Sequence, residues 1–108
     1  MKTKIGLVQI NNSFSGQNYF PYSVGLLQVY AEKYLKEPDK FEFLLPIYSR
    51  ISVEKAIQHL ECAEIILFSV YVWNVRLSLK IAEEIKSRKP DIMIVFGGPH
   101  VPNNAENF

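Results

Sequence analysis

Four short apolar runs, each closed by turn-forming residues and separated by stretches of helical periodicity, constrain this chain more than any other feature. The runs are Lys4 to Ile10, Phe41 to Leu45, Ala63 to Val70 and Ile92 to Phe96. Each has strand length; Lys4 to Ile10 is continuous, as expected of a central strand covered on both faces, Ala63 to Val70 is the most apolar, and Ile92 to Phe96 reads as a buried strand. After the first run Pro21 suits the opening turn of a helix. There Val24, Leu27, Ala31 and Leu35 form an inward stripe, with Gln28, Glu32, Lys33 and Lys36 outward, and Pro38 ends it. Ser52 is placed to cap a second helix, whose Val53, Ala56, Ile57 and Leu60 recur at i, i+3, i+4 and i+7. Asn74 is placed to cap a third, with Leu77, Ile81, Ala82 and Ile85 facing in.

Strand and helix alternating through short connections require right-handed crossovers and a parallel sheet with helices on both faces. The expected class is α/β, a Rossmann-like or flavodoxin-like doubly wound sheet in the order 2-1-3-4, with a fifth strand missing. A chain of 108 residues fits one domain, 1–108. The closing Asn103 to Phe108 reads as the opening of a further helix, so this domain is expected to be an N-terminal fragment of a longer protein.

Composition removes several function classes. The net charge is +1 with acids and bases dispersed, which argues against nucleic acid as a partner. No apolar run reaches membrane-spanning length and no signal peptide is evident, so no membrane partner and a cytoplasmic setting are expected. Cys62 is the only cysteine, which excludes an intrachain disulfide and a cysteine-built metal cluster within these residues. It is expected to be a buried, inert thiol. His59 falls among polar residues on the outer side of the second helix and reads as solvated.

In such a sheet the loops after strands one, three and four gather at the carboxyl edge, where ligands bind. The first loop, from Asn11 to Phe20, lacks the acidic pair of a phosphoacceptor receiver, and Ser69 stands where its aspartate would be. It also lacks the Gly-x-Gly-x-x-Gly of a dinucleotide site and has no Walker motif. Ser13-Phe-Ser-Gly16 leaves a flavin phosphate as an option. The third loop carries Tyr71 and Trp73, either helix-capping aromatics or the wall of a planar ligand site, while Tyr19, Phe20 and Tyr22 add an aromatic rim. In the fourth, Gly97, Gly98, Pro99 and His100 expose backbone at the edge, with His100 a loop organiser or a catalyst.

Three segments, in order, resemble one family. Phe96-Gly-Gly-Pro-His-Val-Pro102 resembles the Gly-Gly-Pro-His segment of the cobalamin-binding domain at the N-terminus of B12-dependent radical SAM enzymes. Pro21-Tyr-Ser-Val-Gly-Leu-Leu27 resembles that family's Pro-x-x-x-Gly-Leu-Leu helix start, and Ser69-Val-Tyr-Val-Trp-Asn74 its segment after strand three. The resemblance implies a domain holding cobalamin at the carboxyl edge, with the nucleotide tail beside the sheet where Gly97 and Gly98 allow close approach. The corrin would lie over the loops, near Tyr71 to Asn74. The cofactor-binding residues so implied are Asn11, Ser13, Ser69, Tyr71, Trp73, Asn74, Gly97, Gly98, Pro99 and His100.

The resemblance further implies a C-terminal radical SAM barrel carrying the [4Fe-4S] cluster and S-adenosylmethionine. Methyl transfer or related radical chemistry would belong to the whole protein, and this fragment alone would not be catalytic. Asn11 to Gly16 has no histidine where better-known B12 modules carry Asp-x-His-x-x-Gly, so no histidine axial ligand is expected from this chain. A non-cobalamin interaction or scaffold domain of the same fold, and a flavin- or nucleotide-binding domain, stay open as alternatives.

Overall fold

The computed structural model describes residues 2–11 and 21–102 in full, together with the backbone of Ser13–Phe14 and Gln17–Asn18. The helix start expected over 103–108, the side chain of Ser13, and Gly16, Tyr19 and Phe20 lie outside the described residues.

Four strands form the main sheet: β1 (Thr3–Val8), β2 (Phe41–Phe43), β3 (Ile65–Ser69) and β4 (Met93–Gly97). All its pairings are parallel, in the order β2-β1-β3-β4, which is the expected 2-1-3-4 arrangement. Three α-helices connect them: α1 (Tyr22–Tyr34), α2 (Val53–Leu60) and α3 (Val75–Arg88). The fold is Rossmann-like. Between β1 and α1, Ser13–Phe14 and Gln17–Asn18 pair as a short antiparallel ribbon.

Side-chain alternation divides the interior in two. Ile66 and Phe68 of β3 point to the α2/α3 side, joining Ala56, Ile57, Leu60, Ile81, Ala82 and Ile85 in one buried cluster. The α2 and α3 stripes thus face inward as expected, and Ser52 Oγ accepts from the Lys55 amide at 3.2 Å. Helix α2 sits so close that a Cβ on Gly6 of β1 would stand 2.6 Å from Leu60 Cδ2. Arg88 at the end of α3 bridges to Glu54 of α2 and to Glu84, at 3.1 and 3.2 Å. Those partners, the Glu54 hydrogen bond above all, raise its pKa.

The α1 side is thinner. Among the described residues, Ile5, Leu7 and Val24 alone form its buried cluster, with Phe41, Phe43, Ile65 and Leu67 packed against them. The expected α1 stripe is corrected here, because Leu27 is 51% exposed and Leu35 37%. The line facing the sheet is Val24, Gln28 and Ala31, at i, i+4 and i+7. Leu26, Val29, Tyr30 and Tyr34 make the outer side apolar too, so hydrophobicity could not tell the two sides apart. No described helix is long and apolar enough to cross a membrane.

Two further expectations change. The run ending in Phe96 is at the edge, as the expected order requires, but it is not a buried strand, because Met93 and Val95 are 58% and 45% exposed. Ile92 is buried in the core, and Ile94 and Phe96, on the α3 side, pack against it. Cys62 is exposed rather than buried, because it sits in the turn that leaves α2. His59 is exposed as expected, and its Nε2 lies 2.7 Å from the Leu45 carbonyl oxygen.

Candidate functional site

Parallel pairing brings the ends of β1, β3 and β4 level, with Ser69 opposite Gly97. The chain then turns around Val70. The Val70 amide donates to Gly97 O at 2.7 Å and its carbonyl accepts from the His100 amide at 3.1 Å. Gly98 takes a φ of +99° at this corner. A Cβ there would lie 2.6 Å from both the nitrogen and the oxygen of Val70. The Cβ direction at Gly98 is therefore occupied by the protein's own chain. Gly97 differs, because a Cβ there would meet nothing nearer than Phe68 O at 4.0 Å. Of the two glycines, Gly97 is the one with space in front of it.

That space belongs to a cleft of about 590 Å³ on the α1 side of the edge. Ser23, Val24 and Leu27 form one wall, Leu67 to Ser69 with Val95 the floor, and Tyr71 with Gly97, Gly98 and Pro99 the rim. Its volume falls in the range of small-molecule sites and its lining is mostly apolar. A second cavity of about 420 Å³ lies at the amino edge, lined by Ala63, Glu64 and the 89–92 turn. There the Lys89 ammonium is spent on the Glu61 and Ala63 carbonyls, both at 2.6 Å.

The segment after β3 is where the other edge elements meet. The Tyr71 hydroxyl hydrogen-bonds Ser23 Oγ of α1 at 3.1 Å. The Tyr71 and Trp73 rings stack at 4.6 Å with 10° between their planes, and Trp73 is 42% exposed. Arg50, from the chain after β2, donates to the Trp73 carbonyl. Asn74 stands at the N-cap position of α3, as expected, but its side chain makes no capping bond. Instead its Oδ1 accepts from the Tyr71 amide at 2.9 Å, and its Nδ2 donates to Ile10 O at 2.8 Å and Ser69 O at 3.1 Å. Asn74 is 1% exposed.

Of the ten candidate residues, Ser69, Tyr71, Gly97, Gly98 and Pro99 line the cleft, and Trp73 stands beside it on Tyr71. His100 is exposed in the 98–101 turn. Asn11 is buried under the edge, with its amide on the Tyr48 carbonyl at 3.0 Å. Two contributors escaped the sequence reading. Gln9, which is 5% exposed, turns Oε1 to the Val24 amide at 3.2 Å and so caps α1 from the sheet. Its signal was a polar residue inside an apolar strand. Arg50 carried no signal at all, because a lone arginine in a loop is ordinary. Among the described residues, no group of three or more His, Cys, Asp or Glu could hold a metal ion.

A parallel α/β sheet with an apolar cleft and a stacked aromatic pair at its carboxyl edge defines a Rossmann-like domain. No protein-family model matches the chain. Over 98 residues it is 34% identical to the cobalamin-dependent radical SAM methyltransferase TokK of Streptomyces tokunonensis, covering 88% of this chain and 14% of that protein. Over 90 residues it is 32% identical to the 2-(S-pantetheinyl)-carbapenam-3-carboxylate methyltransferase of Streptantibioticus cattleyicolor, covering 83% of this chain and 13% of that one. The chain is thus homologous, over most of its length, to a segment of cobalamin-dependent radical SAM methyltransferases. It spans about 14% of the length of these relatives.

Proposed function

We propose that this chain binds cobalamin at the carboxyl edge of its sheet, as the cofactor-holding domain of a B12-dependent radical SAM enzyme. The observation that carries the reading is the cleft at Gly97, flanked by the Tyr71–Trp73 stack, on a chain matched over 88% of its length by a cobalamin-dependent relative. Its volume and apolar floor suit the nucleotide tail of the cofactor and not its macrocycle, which would rest over the exposed aromatic pair.

In this reading Leu27, Leu67 and Val95 exclude water from the tail, and Gly97 admits it against bare backbone. The Ser23 and Tyr71 hydroxyls, already hydrogen-bonded to each other, offer one polar contact in the cleft. Trp73 would lie against the ring as an apolar cover, and its indole Nε1, which carries hydrogen, would offer no lone pair to a metal. Cobalamin, when bound, supplies a cobalt centre able to carry a methyl group. The [4Fe-4S] cluster, S-adenosylmethionine and the reaction itself belong to a radical SAM barrel elsewhere in the polypeptide, in keeping with relatives about seven times the length of the matched segment.

Hydroxocobalamin mixed with the complete polypeptide should stay with the protein through desalting, with its visible absorbance retained. Loss of all absorbance would refute the reading and favour an interaction domain, for which the apolar outer side of α1 is the supporting observation. Electron paramagnetic resonance of the cob(II)alamin complex tests the lower face. A spectrum without nitrogen splitting from a protein imidazole is expected, and its presence would overturn the role given to Trp73.

A further inference from the structure

Asn74 was placed among the residues that touch the cofactor, yet its side chain is closed off from the edge. It is 1% exposed, and both Nδ2 hydrogens are committed to the carbonyls of Ile10 and Ser69. The amide orientation is unambiguous, because the reverse would set Oδ1 against those two carbonyl oxygens and leave the Tyr71 amide facing Nδ2. Its own backbone amide also donates to Tyr71 O at 3.0 Å, so Asn74 closes the Tyr71–Asn74 turn from both ends. The two aromatic rings stand on that turn. The bond to Ile10 reaches 64 positions back along the chain and ties the turn to the end of the β1 run.

We infer that Asn74 is a positioning residue, whose buried amide joins the loops after β1 and β3 and holds the Tyr71–Trp73 stack at the angle the cofactor meets. The inference rests on the cobalamin reading for its functional meaning, but the placement of Trp73 can be measured without any cofactor. A buried amide with all its donors paired is rigid, and one left partly unpaired is costly, so the turn has one low-energy arrangement.

Two substitutions separate positioning from folding. Asn74→Asp keeps the acceptor for the Tyr71 amide but turns a carboxylate toward two carbonyl oxygens. Burial and those dipoles favour its protonated form, whose hydroxyl restores one of the lost donations on acidification. Asn74→Ser keeps a side chain suited to a helix N-cap and is too short to reach Ile10. The charged and titratable groups around the turn are Arg50 on the Trp73 carbonyl, the Tyr71 phenol, His100 of the adjoining loop and Arg76 in the first turn of α3. A wild-type profile over the same pH range subtracts their contribution.

The complete polypeptide, labelled with 5-fluorotryptophan, gives a fluorine resonance for Trp73 that is identified by its loss in Trp73→Phe. That resonance and the dissociation constant for hydroxocobalamin are followed from about pH 8 to about pH 5.5, with a thermal melt of each protein. In Asn74→Asp at the alkaline end the Trp73 resonance should shift or broaden and cobalamin binding weaken about tenfold, both recovering toward wild type in acid. Asn74→Ser leaves the Ile10 carbonyl without its donor, so it should melt below wild type while staying folded, shift or broaden the Trp73 resonance and weaken binding about tenfold at every pH. Folded variants that bind as wild type, with an unmoved Trp73 resonance, would overturn the inference. A wild-type protein that retains no cobalamin would refute the functional reading instead, and the fluorine resonance alone would then decide whether Asn74 positions the stack.

Discussion

The two faces of the sheet are built to different standards. On the α2/α3 face Ile57, Leu60, Ile66, Ile81 and Ile85 are all fully buried. On the α1 face Met93 and Val95 stand largely open beside a single helix that buries only Val24. Both faces carry comparable apolar residues from the same strands, so the difference lies in what covers them. One face supplies most of the buried apolar surface, and the other leaves an apolar cleft open, the room that the proposed cofactor would use.

Large-to-small changes should separate the faces most sharply. Ile57→Ala or Leu60→Ala removes fully buried methyls and should cost about 2–5 kcal/mol in denaturant unfolding. Val95→Ala on the open face should cost less than about 1 kcal/mol by the same measurement. Equal losses would show that the open face is covered in solution.

The two glycines at the edge should then part company. Gly98→Ala sets a Cβ into the Val70 backbone at a left-handed φ, and should cost about 1–3 kcal/mol in unfolding and release cobalamin. Gly97→Leu sets its Cβ no nearer than 4.0 Å to Phe68 O, at a position that lines the cleft. It should leave stability within about 0.5 kcal/mol and weaken hydroxocobalamin binding at least about tenfold in titration. If Gly97→Leu bound cobalamin normally, the tail would not lie in this cleft.

The smallest effect falls on the covered face. Ser78 Oγ is buried without a partner among the described residues. Ser78→Ala should leave the melting temperature unchanged or slightly raised, because it removes an unsatisfied hydroxyl from a helix that favours alanine.

The covered face was the more legible one. The stripes of α2 and α3 are apolar on one side and charged on the other, so periodicity alone oriented them. In α1 the apolar residues run around the helix, so Leu27 was taken for core when it lines the cleft. Strand β4 misled for a related reason: a continuous apolar run fits a strand covered on both faces, and Val95 gave no sign of being left open. At the edge, the loops that meet could be named from the strand order, and Trp73, Gly97 and Gly98 stood out by residue type. Which glycine is open, and that Asn74 ties loops together and does not cap α3, depend on contacts between residues far apart in sequence.

Local pattern, then, determined the strands, the helices, their parallel order and the edge at which a ligand site would form, because periodicity and turn chemistry are written in neighbouring residues. Tertiary structure alone decided where the apolar surface stays uncovered. It also decided that the Val70 backbone fills the Cβ direction of Gly98, and that the Asn74 amide spends its donors inside the protein. Those outcomes depend on which distant backbone atoms arrive at the same place, and that is set only when the sheet assembles.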